Sequence, residues 1–92
     1  MNITQLETLV WLSRLRSFRK VAQQLGTSQP AISMRIRQLE RELGVTLFRR
    51  SPTRTQLTEN GRQLLEYAVA ITDLASQLVQ KAAKTSGHMT HP

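Results

Sequence analysis

Ninety-two residues, 13 Lys and Arg against 6 Asp and Glu, a net charge of +7 and 39% hydrophobic residues describe one small, strongly basic domain with a modest core. The absence of cysteine excludes disulfides, zinc sites built on thiolates and thiol nucleophiles. No apolar run approaches the roughly 18 residues of a membrane span, and no signal-peptide pattern opens the chain, so the expectation is a cytoplasmic protein without a membrane partner.

The charge is concentrated. Residues 14–62 hold eleven Lys and Arg against Glu40, Glu42 and Glu59, while the flanking segments are near neutral. A patch of this kind suits phosphate, because each neutralised phosphate releases condensed counterions. Charge alone leaves nucleic acid, an anionic membrane surface and an acidic protein as partners.

Thr4 and Glu7 have capping-box spacing, which predicts a first helix ending near Arg14–Arg16 with Leu6, Leu9, Val10 and Ser13 on its core face. Trp11 and Leu15 fall outside that stripe, either partly buried beneath a neighbouring loop or touching a second protomer. Ser17 can cap a short second helix with Phe18, Val21, Ala22 and Leu25 at i, i+3, i+4, i+7 spacing, stopped by Gly26. Ser28 caps a third helix with Pro30 in its first turn. Its apolar residues Ile32, Ile36, Leu39 and Leu43 form a narrow stripe closed by Gly44, and Pro30, Met34, Arg37, Gln38 and Arg41 cluster on the opposite side. Two helices about the short Gly26-Thr27-Ser28 turn match a helix-turn-helix.

Val45, Leu47 and Phe48, then Leu57 and Thr58, bracket Arg49-Arg50-Ser51-Pro52-Thr53-Arg54. The reading is a two-stranded wing with a basic tip, an irregular basic loop being the alternative. Thr58 can cap a last helix from Glu59 to about Lys84, too long for a globule of this size to cover. Leu57, Leu64, Ile71 and Leu78 repeat every seven residues. Tyr67 and Leu74 form a second row, with Ala68, Ala75 and Ala82 beside it, the spacing of helices that pair closely. Leu64, Tyr67, Ile71, Leu74 and Leu78 are the candidate dimerisation residues. Residues 85–92 lack periodicity and read as a flexible tail or a remnant of expression. The fold class is mostly α: a winged helix-turn-helix over residues 1–58, a linker helix over 59–84 and the tail.

No catalytic constellation is present. The only histidines, His88 and His91, lie in the tail without further metal ligands, and no phosphate loop or dinucleotide fingerprint appears. The expectation is a protein that is not an enzyme and needs no cofactor.

The stretch SFRKVAQQLGTSQPAISMRIRQLERELG over residues 17–44, followed by Leu47-Phe48-x-Arg50 and Leu57-Thr58-x-x-Gly61, resembles the DNA-binding domain of LysR-type bacterial transcriptional regulators. The resemblance runs from residue 2 to about 84. It implies sequence-specific binding of double-stranded DNA by a homodimer on an A·T-rich interrupted inverted repeat. It also implies that the chain is excised from a parent with an effector-binding domain for a small molecule and a higher oligomeric state; a naturally short paralogue is the alternative. Two residues depart from the family pattern: Arg16, where a small turn residue is usual, and Met34, where a polar or basic residue is usual.

On this reading the third helix enters the major groove N-terminal end first. Gln29 would pair with adenine, Pro30 or Ala31 would touch a thymine methyl, and Met34 would do the same in place of a hydrogen bond. Ser33 and Arg35 would meet a base or a phosphate, and Thr27 and Ser28 would hold phosphate at the helix N-terminus. Arg50 and Arg54 are the wing candidates, one of them for the minor groove by resemblance. Arg37 and Arg41 are weaker, because Glu40 and Glu42 stand near enough to pair with them. The competing readings are a winged-helix protein-interaction module and an RNA binder, the latter disfavoured by only four aromatic residues.

Overall fold

A computed structural model of the chain describes residues 1–50 and 55–89, the last four as backbone only. The chain order is α1 (Ile3–Leu15), α2 (Phe18–Leu25), α3 (Gln29–Leu43), β1 (Phe48–Arg50), β2 (Thr55–Leu57) and α4 (Glu59–Met89). The two strands pair antiparallel with Phe48 opposite Leu57, Arg49 opposite Gln56 and Arg50 opposite Thr55. The expected winged helix-turn-helix and long last helix are therefore present. No helix among the described residues is long and apolar enough to cross a membrane.

The helix boundaries follow from local chemistry. Ser17 accepts from the Lys20 N–H and Ser28 from the Ala31 N–H, so each satisfies a donor that the first turn of a helix leaves free. Gly26 closes α2 at φ 65°, a left-handed conformation that costs a side-chain-bearing residue about 1–2 kcal/mol. The Thr27 N–H then reaches back 2.9 Å to the Ala22 carbonyl and tightens the turn into α3. Arg16 closes α1 in the same left-handed conformation, at φ 53°, with its N–H on the Leu12 carbonyl at 2.8 Å. The departure at this position thus falls on a turn that a glycine would take without strain.

Three boundary or face expectations are corrected. α1 begins two residues early, because Asn2 and Gln5 form the capping box (2.9 and 3.0 Å) in place of Thr4 and Glu7. Asn is as good a cap as Thr, and capping there adds about half a turn of helix. Leu43, assigned to the buried stripe of α3, is exposed, since the core ends one turn earlier at Leu39. α4 continues five residues past Lys84, through a stretch assigned to the tail. An established helix adds one bond per residue fixed, and no proline occurs before Pro92 to stop it.

The core joins Leu6, Leu9, Val10 and Leu12 of α1, Val21 and Ala22 of α2, Ile32, Ile36 and Leu39 of α3, Leu47 and Phe48 at the wing, and Ala68 of α4. α1 is the central helix and packs against α2, α3 and α4. This explains why its buried set is wider than any single stripe: Gln5 and Thr8 are buried too, and the Thr8 hydroxyl donates to the Thr4 carbonyl at 2.7 Å. Trp11 and Leu15 are half-buried against the same core. Leu64 and Leu65 add to it from α4.

α4 is seated through one close approach. The Thr58 N–H donates to the Leu47 carbonyl at 2.9 Å, the Thr58 hydroxyl donates to the Thr46 carbonyl, and the Gly61 N–H donates to that hydroxyl oxygen at 3.0 Å. A Cβ at Gly61 would stand 2.3 Å from the Leu47 oxygen and 2.9 Å from a Leu57 methyl. Backbone occupies that space, so Gly61→Ala is expected to destabilise the fold by about 1–3 kcal/mol. Urea denaturation measures it, and an unchanged midpoint would mean that α4 can lift off the Leu47 carbonyl freely.

Candidate nucleic-acid interface

α3 buries Ile32, Ile36 and Leu39 and turns the rest of its surface outward. Gln29, Pro30, Met34, Arg37, Gln38 and Arg41 are exposed, while Ala31, Ser33 and Arg35 are half-buried on its flanks. Met34 is 59% exposed, a large apolar side chain in a polar and basic face. The Ser28 hydroxyl accepts the Ala31 N–H at 3.2 Å, so its oxygen serves the helix while its hydrogen stays available. Thr27 lies half-buried in the turn just before it.

The acidic residues that could have neutralised this face are engaged elsewhere. The Glu40 carboxylate accepts from the backbone N–H groups of Leu47 and Phe48, at 2.7 and 3.3 Å, and so fixes the entry into the wing. Glu42 lies against the amino group of Met1, whose hydrogen bond holds that carboxyl below its usual range. The expectation that Glu40 or Glu42 pairs with Arg37 or Arg41 is therefore overturned: among the described residues neither arginine has an acidic partner. Backbone N–H groups without a strand partner outcompete a solvated arginine for Glu40, because they would otherwise be left unsatisfied.

The wing residue Arg50 is brought onto α3. Its guanidinium donates to the Ser33 hydroxyl oxygen at 2.9 Å and lies over the Phe18 ring, 4.7 Å from its centre. Burial, followed by the charge of Arg37, lowers its pKa from the ordinary value, with Glu40 opposing. The two strand residues before it explain this placement. Strand side chains alternate, so Arg50 shares the inner face of buried Phe48, and Arg49 faces outward. Two sequence-assigned residues, Ser33 and Arg50, thus meet each other. Arg54 lies outside the described residues, as does His91.

Along α4 the candidate pairing residues divide. Leu64 is half-buried on the domain's own core, and Ala68 beside the row is fully inside it. Tyr67, Ile71, Leu74 and Leu78 are exposed, together with Val79, which the heptad reading did not single out. The molecule is 58 Å long and 25 by 20 Å across, so the far part of α4 projects well beyond the helices it packs on.

The profile described as "Bacterial regulatory helix-turn-helix protein, lysR family" matches residues 3–62. The chain belongs to the LysR family. It is 40% identical over 88 residues to the HTH-type transcriptional regulator HdfR of Salmonella typhimurium, covering 96% of this chain and 32% of that protein. The chain thus spans about a third of the length of the curated relatives it matches. Full-length OxyR from Pseudomonas aeruginosa superposes with a TM-score of 0.87 at 31% identity, over 91% of this chain and 28% of that one. The BenM DNA-binding domain in complex with catB site 1 DNA superposes with a TM-score of 0.87 at 29% identity, over 94% of this chain and 97% of that one.

Within this LysR-family domain the residues divide by task. Glu40, Leu47, Phe48, Thr58 and Gly61 build the joint between α3, wing and α4, Gly44 closes α3, and Ser28, Gln29, Pro30 and Met34 open the exposed face. Sequence reading missed Glu40 as a wing cap and Phe18 as the platform for Arg50. The alternation Phe48-Arg49-Arg50 was the available signal for the second. Glu40→Ala leaves the Leu47 and Phe48 N–H groups without their acceptor and is expected to lower stability by about 1–3 kcal/mol. Thermal unfolding checks it, and a wild-type midpoint would show that water replaces the carboxylate.

Proposed function

We propose that this chain is the DNA-binding part of a bacterial transcriptional regulator that reads double-stranded DNA through the exposed face of α3. The observation that carries the reading is the combination of an outward face lined by Gln29, Pro30 and Met34 with arginines, Arg37 and Arg41, that have no acidic partner among the described residues. The likeness to a LysR-family domain in complex with DNA supports it. α3 enters the major groove with its N-terminal turn leading. Gln29 reads adenine through its amide, Pro30, Ala31 and Met34 pack on thymine methyls, and Ser33 and Arg35 reach a base or phosphate. Thr27 and Ser28 hold phosphate at the helix N-terminus, and Arg37 adds a phosphate contact. With Arg50 held on α3, the minor-groove contact at A·T-rich sequence falls to Arg54.

The exposed apolar residues of α4 support a homodimer. Tyr67, Leu74 and Leu78 are each about two-thirds exposed and lie along one stretch of helix with Ile71. Exposed apolar side chains repeated at this spacing are the surface of a helix that packs on another helix. Two-fold symmetry then requires an interrupted inverted repeat with half-sites about 34–36 Å apart. The longer parent would add a small-molecule effector domain and a higher oligomeric state, and would act in the cytoplasm at the nucleoid.

Selection from a random duplex library tests the reading, with inverted repeats as the expected product. Gln29→Ala is expected to relax one base pair per half-site by about 1–3 kcal/mol; an unaltered preference removes Gln29 from the readout. Leu74→Glu is expected to shift the chain to monomer and weaken operator binding while leaving the helical content of the fold in place, because Leu74 lies outside the core. Sedimentation equilibrium showing an intact dimer rejects the pairing surface.

A further inference from the structure

We infer that Arg50 is a positioning residue that fixes the polarity of the Ser33 hydroxyl, making Ser33 a hydrogen-bond donor toward DNA and tying the wing to the readout of one base pair. The inference rests on the DNA-binding reading above and goes beyond it, since it takes Arg50 out of the phosphate-contacting set.

Three contacts carry it. The Arg50 Nη1 lies 2.9 Å from Ser33 Oγ, and a guanidinium can only donate, so the serine oxygen accepts. The same guanidinium lies over Phe18, 4.7 Å from the ring centre, so the side chain is held on a second side by α2. Ser33 is half-buried on the flank of α3 between Gln29 and Arg37, both exposed on the outward face. A positive charge on the oxygen side of a hydroxyl turns its hydrogen away. Among the described residues that hydrogen meets no acceptor, and it is left for whatever covers α3.

The chemistry of the partner follows. With one lone pair taken by Arg50 and its hydrogen turned outward, the hydroxyl is matched best by purine N7, guanine O6 or thymine O4, and less well by the amino groups of adenine N6 and cytosine N4. Arg50 also connects three elements through one planar group: β1 by its backbone, α3 by the hydrogen bond and α2 by the stack. A displaced wing would pull the guanidinium off Ser33 and free the hydroxyl to rotate, so the two contacts to DNA are coupled.

Random-library selection and salt titration of the full chain separate this from a direct phosphate contact. Ser33→Ala is expected to relax preference at one base pair per half-site by about three- to tenfold, the worth of a single hydrogen bond. Arg50→Met and Arg50→Lys are both expected to relax that same base pair, because neither keeps a planar guanidinium stacked on Phe18 and aimed at Ser33. Combining either with Ser33→Ala should add little further. The salt slope of Arg50→Lys should equal the parent's, and that of Arg50→Met should fall by less than about half a unit. A loss of about one unit of slope in Arg50→Met with base preference intact identifies a phosphate contact and overturns the inference. So does relaxation at a different base pair, or full additivity with Ser33→Ala. A parent chain that selects no sequence overturns the DNA reading and this inference together, whereas a parent with a defined site and an unresponsive Arg50 overturns this inference alone. Thermal unfolding of each variant establishes that it is folded, and Arg50→Lys, which retains charge and stem, keeps the test decisive if Arg50→Met is unstable.

Discussion

The peptide of Leu47 is held on both sides. Its N–H is bonded by the Glu40 carboxylate from α3, and its carbonyl is bonded by the Thr58 N–H at the head of α4. Gly61 completes the joint by having no side chain where the Leu47 oxygen stands. One residue therefore sets the angle of the wing to α3 and the angle of α4 to both. The Leu47 side chain is itself fully buried, so the joint cannot slide without opening the core. Polar bonds inside such a joint rigidify it because leaving any of them unmade costs more than making it gains.

That joint determines what α3 presents. With Glu40 bonded to the wing backbone and Glu42 to the Met1 amino group, neither forms an ion pair with Arg37 or Arg41 on the exposed face. A face of this kind attracts an anionic polymer at long range and grips it on contact. Arg50 is placed differently. Its guanidinium is bonded to Ser33 and lies over Phe18 while the residue stays exposed, so this cation is anchored on α3 and α2.

α4 serves two environments along its length. Leu64, Leu65, Ala68 and Val69 pack on the domain, and beyond them Leu74, Leu78 and Val79 face solvent. A heptad pattern does not distinguish these two roles, since both demand apolar side chains on the same stripe. The change falls between Val69, which packs on the core, and Leu74, which does not, and it is set by what the rest of the domain offers α4 to pack on.

Local rules made most of the architecture legible. The caps Ser17, Ser28 and Thr58, the stops Gly26 and Gly44 and the buried stripe Ile32-Ile36-Leu39 all express backbone chemistry within one or two turns, so they could be read without a partner in view. What depends on neighbours could not. Thr8 and Gln5 are buried because three helices surround α1, Leu43 is exposed because the core stops short of it, and Arg50 lies on Ser33 because the wing folds back over α3. The sequence by itself determined the helices, the ends set by Ser17, Ser28, Gly26 and Gly44, and the location of the charge. Only the tertiary structure decided which acids and arginines were already engaged, because a charged side chain is committed by the unsatisfied groups nearest it in space, and those come from distant parts of the chain.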